Sequence, residues 1–188
     1  LGRDHPQAAY GRARLGSFFM NHLDDLERAE PLLVEGIATT ERTLGSSHPA
    51  AVTMTNSLAV LYTRRGDYGK ALPVLQKGLA SAEQSLDERD PLFIQFVNNI
   101  GDLHRRLDEF DKAEPYFTRA LTLLEQAYGP DHLRVATPLV NLSVLARERR
   151  EYARAFELLN RAFTIRTKAL GESSRPSAET LVLMANVH

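Results

Sequence analysis

Similar residues recur about every 42 positions along this chain of 188 residues. A recurrence of this length is typical of helical units stacked in a row, because one unit alone cannot bury its apolar face. The clearest series is one alanine per unit, at Ala29, Ala71, Ala113 and Ala155. The spacing predicts one repeat array with units at residues 1–43, 44–85, 86–127 and 128–169 and a partial, capping unit at 170–188.

Each unit has the pattern of two helices. In the second unit, Pro49 fits the first turn of a helix, and amphipathic spacing then predicts helix A over about 49–64. Gly66 ends that helix, and Asp67 is expected to supply the N-cap acceptor of helix B, which is predicted to extend to about residue 85. A turn this short between long helices indicates an antiparallel pair.

Small residues mark where the two helices of a unit are expected to touch. Ala59, Ala71 and Gly78 are predicted to let the two backbones of the second unit approach closely. The turns between the helices vary. The stretch 21–24 carries a one-residue insertion, and the turn glycine is lost at Asp108 and at Arg150. The loss of that glycine predicts turns that are shifted or longer.

Composition narrows the classes of function. The chain has no cysteine, which excludes disulfides, thiolate zinc sites and a cysteine nucleophile. It has no apolar run of about 18 residues and no signal-peptide pattern, so we expect no membrane partner and a cytoplasmic location. A net charge of −1 gives no overall attraction to nucleic acid. Because the chain begins in a loop between units and stops within an apparent helix, we expect it to be a segment of a longer protein.

The histidines and motifs do not indicate an enzyme. His5, His48 and His132 occupy equivalent loop positions, but packed helices lie about 8–10 Å apart, too far for three repeats to share one metal ion. They are expected to be loop and cap residues, whereas His104 and His188 are expected at packed positions. No phosphate-binding or catalytic motif is present. The expectation is therefore no catalytic site, no cofactor and no metal.

The motif positions of one unit resemble the tetratricopeptide repeat; they are Leu58-Ala59, Gly66-Asp67-Tyr68, Ala71, Leu75 and Gly78. The period of 42, the Gly-x-x-His-Pro linker and the Ala-Glu-Pro stretches at 29–31 and 113–115 resemble more closely the kinesin light chain type. The resemblance implies an all-α fold, a right-handed α-solenoid of stacked antiparallel helix pairs. It also implies that the A helices line a concave, ligand-binding face.

In this family, ligands contact defined positions of helix A. The resemblance implies that the equivalent positions of this chain form a peptide-binding groove. Its proposed members are Asn56, Val60, Arg64, Asn98, Asp102, Arg105, Arg106, Val140, Val144 and Arg147, and Gln95 occupies a further position of the same face. Asn56 and Asn98 are one repeat apart, and an amide side chain can both donate to and accept from the backbone of an extended peptide. The arginines favour an acidic ligand.

Alternatives remain open at this point. The asparagines fit equally well as surface polar residues, and the arginines fit as turn residues paired with acids such as Asp67, Asp108, Glu109 and Glu151. The predicted function is a protein–protein interaction module that binds an extended, acidic peptide segment. The alternative is a regulatory or sensor array that controls a protease, ATPase or kinase domain elsewhere in the same protein. RNA binding is disfavoured because no aromatic residues interleave with the arginines.

Overall fold

The computed structural model describes residues 5–187, and this part of the chain is helical throughout apart from turns. Its helices are α1 (Pro6–His22), α2 (Leu26–Leu44), α3 (Pro49–Arg65), α4 (Tyr68–Ser85), α5 (Pro91–Arg106), α6 (Phe110–Tyr128), α7 (Ala136–Glu148), α8 (Tyr152–Leu170) and α9 (Arg175–Ala185). A single 3-10 turn at Leu133–Val135 precedes α7. The predicted all-α class is confirmed, and so are the two helices predicted for the repeat at 44–85.

The helices group into two compact structural units, each larger than one repeat, which divide within α5 between Leu103 and His104. From here on, the first and second unit are these two structural units. In the first unit, α1 packs on α2, α2 on α3 and α3 on α4. In the second unit the same order holds, with α6 on α7, α7 on α8 and α8 on α9. The odd-numbered helices are the A helices of the repeats, and the even-numbered helices are the B helices. Within each unit a helix B therefore lies between the helix A of its own repeat and the helix A of the next.

The alanine of each helix B lies at the centre of the packing. All four recurring alanines are completely buried, as the period predicts. Ala113 illustrates the arrangement: it lies in one apolar cluster with Phe117 of the same helix and with Leu142 and Leu145 of α7. A small residue is needed here because the facing helix supplies large side chains, and packed interiors have little spare volume.

Glycines permit close approach at two different kinds of contact. A Cβ atom on Gly16 of α1 would lie 3.0 Å from the carbonyl oxygen of Ala29 in α2, so this glycine serves the contact within one repeat. A Cβ atom on Gly78 would instead lie 2.2 Å from Cε1 of Phe96, in helix A of the following repeat. The expectation that Gly78 serves the α3–α4 contact is therefore corrected, since its open side faces a large phenylalanine of α5.

Histidine caps begin three of the helical segments. His5, His48 and His132 each accept a hydrogen bond at Nδ1 from the backbone N–H two residues later. The expectation that these are cap residues is confirmed. Asp67 also occupies an N-cap position, but its carboxylate accepts from Nε of Arg65 at 2.5 Å and makes no cap bond. The sequence predicted that the Asp67 carboxylate accepts from a backbone N–H of helix B. It accepts instead from the Arg65 guanidinium, which is the stronger donor because it is charged.

The turns that lack glycine keep the geometry of the turn that has it. Gly66 has φ 81°, and the equivalent Asp108 and Arg150 have φ 57° and 62°. In all three turns the backbone N–H that follows bonds to the carbonyl five residues before it. The expected shift or lengthening is therefore wrong, because these residues adopt the left-handed conformation at a steric cost. The turn after α1 does contain the inserted residue, since Asp25 N–H bonds to Phe19, six residues before it.

Replacing Arg150 by glycine is expected to stabilise the protein. Arg150 is exposed and holds φ 62°, and a left-handed non-glycine residue costs about 1 kcal/mol or more. Arg150→Gly should therefore raise the free energy of unfolding in urea by about 1 kcal/mol, whereas Gly66→Ala at the equivalent turn should lower it by a similar amount. A loss of stability in Arg150→Gly would show that the side chain contributes more than its backbone strain costs.

None of the helices within residues 5–187 combines the length and apolar character needed to cross a membrane. The cytoplasmic location stays a prediction. His188, which was expected at a packed position, lies outside the described residues.

Candidate peptide-binding face

An amide network joins two A helices of the first unit, α3 and α5, at the predicted site. Asn56 of α3 donates from Nδ2 to Oε1 of Gln95 at 3.2 Å and accepts at Oδ1 from Nδ2 of Asn99 at 3.1 Å, both residues belonging to α5. We call Asn56, Gln95 and Asn99 the amide network. Asn99 was not among the predicted residues; its neighbour Asn98 was, and both are half-buried on α5.

The amide network retains hydrogen-bonding capacity. An amide side chain has two N–H donors and an oxygen with two lone pairs. Asn56 uses one donor and one lone pair in the network, and Gln95 uses only its oxygen while its side chain is exposed. The remaining donors and acceptors can serve an extended backbone that passes along these helices.

Arg64 makes hydrogen bonds to two other residues of the first unit. Its guanidinium donates to the carbonyl oxygen of Met20 at 2.9 Å and to Oδ1 of Asp24 at 2.5 Å. Asp24 is highly exposed and lies in the turn that contains the inserted residue. Exposed ion pairs are weak, so the bond to Asp24 can be exchanged for another carboxylate, whereas the bond to Met20 fixes the position of the guanidinium.

The remaining predicted members of the first unit lie on the same helices. Val60 is half-buried on α3, and Asp102 is half-buried on α5. Val60 lies four residues from both Asn56 and Arg64 and therefore on the same side of α3. The first unit thus brings an amide, an apolar side chain and a guanidinium onto one stripe of a helix A.

The second unit holds the other predicted members. Arg105 is half-buried and Arg106 is exposed at the end of α5. Val144 and Arg147 of α7 line a narrow hollow with residues of α8 and α9, and Arg147 pairs with Glu148 at 2.8 Å. Val140 packs against the apolar cluster around Ala155. The partner of Arg147 is therefore its neighbour in sequence, not a residue of the A–B turn.

Several other charges have structural partners. In the first unit, Glu30 of the Ala-Glu-Pro stretch in α2 accepts hydrogen bonds from Arg65 at 2.5 Å and from the Tyr62 hydroxyl at 2.9 Å. The hydrogen bond from Arg65 lowers the pKa of the Glu30 carboxyl, against the effect of burial. Burial and the bond to Glu30 together raise the pKa of Tyr62 to about 12.

The second Ala-Glu-Pro stretch repeats this arrangement in the second unit. Glu114 of α6 accepts from Arg149 and, at 2.7 Å, from Arg154. These two hydrogen bonds lower the pKa of the Glu114 carboxyl. The stabilisation is therefore present above the ordinary carboxyl pKa and is lost as the pH falls through the folded value. Glu30 thus links α2 to the end of α3, and Glu114 links α6 to the end of α7, a role that the sequence did not reveal.

His104 is packed, as the sequence predicts. It is buried, its Nδ1 lies 2.6 Å from Oε2 of Glu109, and its ring stacks on Tyr116 at 5.7 Å between centroids. Across the described part of the chain, no three histidine or acidic side chains are grouped so that they could hold a metal ion.

A family model described as tetratricopeptide repeat matches residues 2–84 and 94–168. The chain belongs to the tetratricopeptide repeat family. Repeats of this family generally mediate contacts between proteins and are typically scaffolds without catalytic activity, so the chain is at that level an interaction module. No curated protein matches the sequence.

Solved structures agree with the family assignment. Crystallised TPR-like repeats of a Podosopora anserina protein, assigned to the kinesin light chains, are similar over 97% of this chain and 86% of theirs, with a TM-score of 0.80 and 17% identity. BtubC (BKLC) from P. vanneervenii gives a TM-score of 0.80 at 23% identity, over 97% of this chain and 80% of that protein. A tetratricopeptide repeat protein from Parabacteroides merdae gives a TM-score of 0.62 at 18% identity, over 96% of this chain and 60% of that protein. The predicted all-α solenoid of the kinesin light chain-like type is confirmed.

Proposed function

We propose that the helix A surface of this tetratricopeptide repeat protein binds an extended, acidic peptide segment of a partner protein. The amide network carries the proposal, because it places hydrogen-bonding groups from two neighbouring A helices side by side in the first unit. An extended backbone needs donors and acceptors at intervals along its length, and two adjacent helices provide them.

Arginines give the proposed ligand its charge. Arg64 in the first unit and Arg147 in the second each hold an exposed carboxylate of this chain, Asp24 and Glu148 respectively. A guanidinium that already binds a carboxylate in a weak, exposed pair has the geometry to bind one from a ligand. The apolar residues Val60 and Val144 are expected to provide most of the specificity, since buried apolar anchors contribute more than exposed charges.

Reversing two charges in the second unit is expected to weaken binding. The probe is the most enriched sequence from a displayed library of random linear peptides, and we expect that sequence to be rich in aspartate and glutamate. The double variant Arg105→Glu/Arg106→Glu should weaken its affinity about tenfold and flatten the salt dependence of the dissociation constant, measured by fluorescence anisotropy.

The control for this experiment changes net charge by the same amount elsewhere. Arg14 and Arg89 are exposed, and Arg14→Glu/Arg89→Glu should leave the affinity close to that of the unchanged protein. Circular dichroism should show the same helix content in all three proteins. Equal losses in the two double variants would mean that overall charge, and not this face, attracts the peptide; an enriched sequence without acids would contradict the ligand class.

A further inference from the structure

The turn between α1 and α2 places an exposed carboxylate on an arginine of the helix A surface. Oδ1 of Asp24 accepts from the guanidinium of Arg64 at 2.5 Å, and the Asp24 side chain is 79% exposed. The same guanidinium donates through its other terminal nitrogen to the carbonyl oxygen of Met20 at 2.9 Å. Asp24 therefore occupies a position at which a carboxylate meets a guanidinium that a second hydrogen bond already orients.

Two other ion pairs of this chain are equivalent to each other and lie two repeats apart. Glu30 pairs with Arg65, and Glu114 pairs with Arg149. The side chains of the two glutamates are only 25% and 26% exposed. Recurrence and partial burial are the features expected of an ion pair that stabilises the fold, because fully exposed pairs contribute little.

The pair of Asp24 and Arg64 has neither feature. Its carboxylate is highly exposed. The equivalent positions of the following repeats do not combine an acid with a base, since they hold Gly66 with Arg106 and Asp108 with Glu148. This pair is therefore expected to add little stability, and its carboxylate can leave Arg64 at small cost.

The backbone of Asp24 also departs from what its residue type prefers. Its φ is 53°, a left-handed value that glycine adopts without strain, and glycine occupies the equivalent position of the next turn at Gly66. The turn that holds Asp24 also contains the inserted residue. The first turn thus presents a carboxylate to Arg64 from a strained position, and such strain often accompanies a functional role.

We propose that Asp24 is a built-in competitor of the acidic peptide at Arg64. The competition rests on the proposed function, in which Arg64 binds a carboxylate of the peptide. In the free protein the Asp24 carboxylate occupies the guanidinium, and the peptide displaces it when it binds. A peptide gains from Arg64 only as far as its own carboxylate binds better than that of Asp24, so the competition raises the specificity for a well-placed acid.

Removing the charge of Asp24 is expected to strengthen binding. The probe is the enriched acidic peptide of the library experiment, with its affinity measured by fluorescence anisotropy. Asp24→Asn should bind it about two- to fivefold more tightly than the unchanged protein, the range that corresponds to an exposed ion pair. Asparagine keeps the shape of the side chain and tolerates the left-handed conformation. Circular dichroism of the variant should be unchanged.

Glu83→Gln is the matched control. Glu83 is an exposed acid of α4, so the substitution changes the net charge by the same amount away from Arg64. Its affinity for the peptide should stay close to that of the unchanged protein. A gain as large as that of Asp24→Asn would mean that overall charge produces the effect, and the competition would be wrong.

A variant without the guanidinium distinguishes the competition from the proposed function. Arg64→Gln should weaken binding, and adding Asp24→Asn to it should bring no further gain, because Asp24 then has no guanidinium to occupy. If Arg64→Gln weakens binding but Asp24→Asn leaves it unchanged or weaker, the competition is wrong and the proposed function stands. If Arg64→Gln binds as tightly as the unchanged protein, Arg64 does not bind the peptide, and its proposed role and the competition are both wrong.

Discussion

Phe117→Ala is expected to lower the free energy of unfolding by about 3–5 kcal/mol, the usual cost of removing a buried phenylalanine. Phe117 is completely buried and packs with Ala113, Leu142 and Leu145, so the variant leaves a cavity between α6 and α7. Urea unfolding monitored by circular dichroism measures the change. The loss is a large part of the stability of a domain of ordinary size.

Phe156→Ala is the matched control for this prediction. Phe156 also lies on a helix B, but its side chain is 47% exposed, so its removal should change the free energy of unfolding by less than about 1.5 kcal/mol. If Phe117→Ala and Phe156→Ala unfold at the same urea concentration, the cluster around Phe117 does not exist as described.

Gly78→Ala is expected to destabilise the protein although alanine is the better helix former. The added Cβ atom would lie 2.2 Å from Cε1 and 2.5 Å from Cζ of Phe96, which is completely buried in a closely packed interior. Overpacking of this kind costs about 1–3 kcal/mol, more than the gain of about 1 kcal/mol in helix propensity. The midpoint of thermal unfolding should therefore fall.

Gly69→Ala in the same helix separates the two effects. No atom lies within 4 Å of a Cβ on Gly69, so only helix propensity acts there and the midpoint should rise. Combining Gly78→Ala with Phe96→Leu should cost less than the sum of the two single changes, because the smaller side chain makes room for the methyl group. Additive losses would show that Gly78 and Phe96 do not touch.

The sequence was sufficient for the fold because the packing signals are local and repeated. A buried alanine in each helix B, an amphipathic helix A and a turn residue between them appear four times, so each unit supports the interpretation of the others. The turns at Asp108 and Arg150 were predicted wrongly for a physical reason. Residue type indicates the preferred φ, but the packed helices on both sides force a left-handed φ on residues that avoid it.

The site was harder to predict because it depends on side chains from different repeats. Asn56 was predicted, but its hydrogen bonds to Gln95 and Asn99 of the next helix A were not. Asn99 is the neighbour of the predicted Asn98, and adjacent helix residues point about 100° apart. A repeat alignment pairs equivalent positions, whereas hydrogen bonding follows the offset between neighbouring helices. In the same way, Glu30 and Arg65 are 35 residues apart, a separation that the period does not indicate.

The side-chain amide signals of Asn56, Gln95 and Asn99 test the central claim most directly. These NH₂ groups give separate peaks in a ¹⁵N-correlated NMR spectrum, and single Asn→Ala or Gln→Ala variants assign them. Adding the acidic peptide selected from the library should shift all three pairs of peaks, with a midpoint that matches the dissociation constant from anisotropy. If these peaks stay in place while backbone amides of the B helices shift, the peptide binds elsewhere and the proposed role of the helix A surface is wrong.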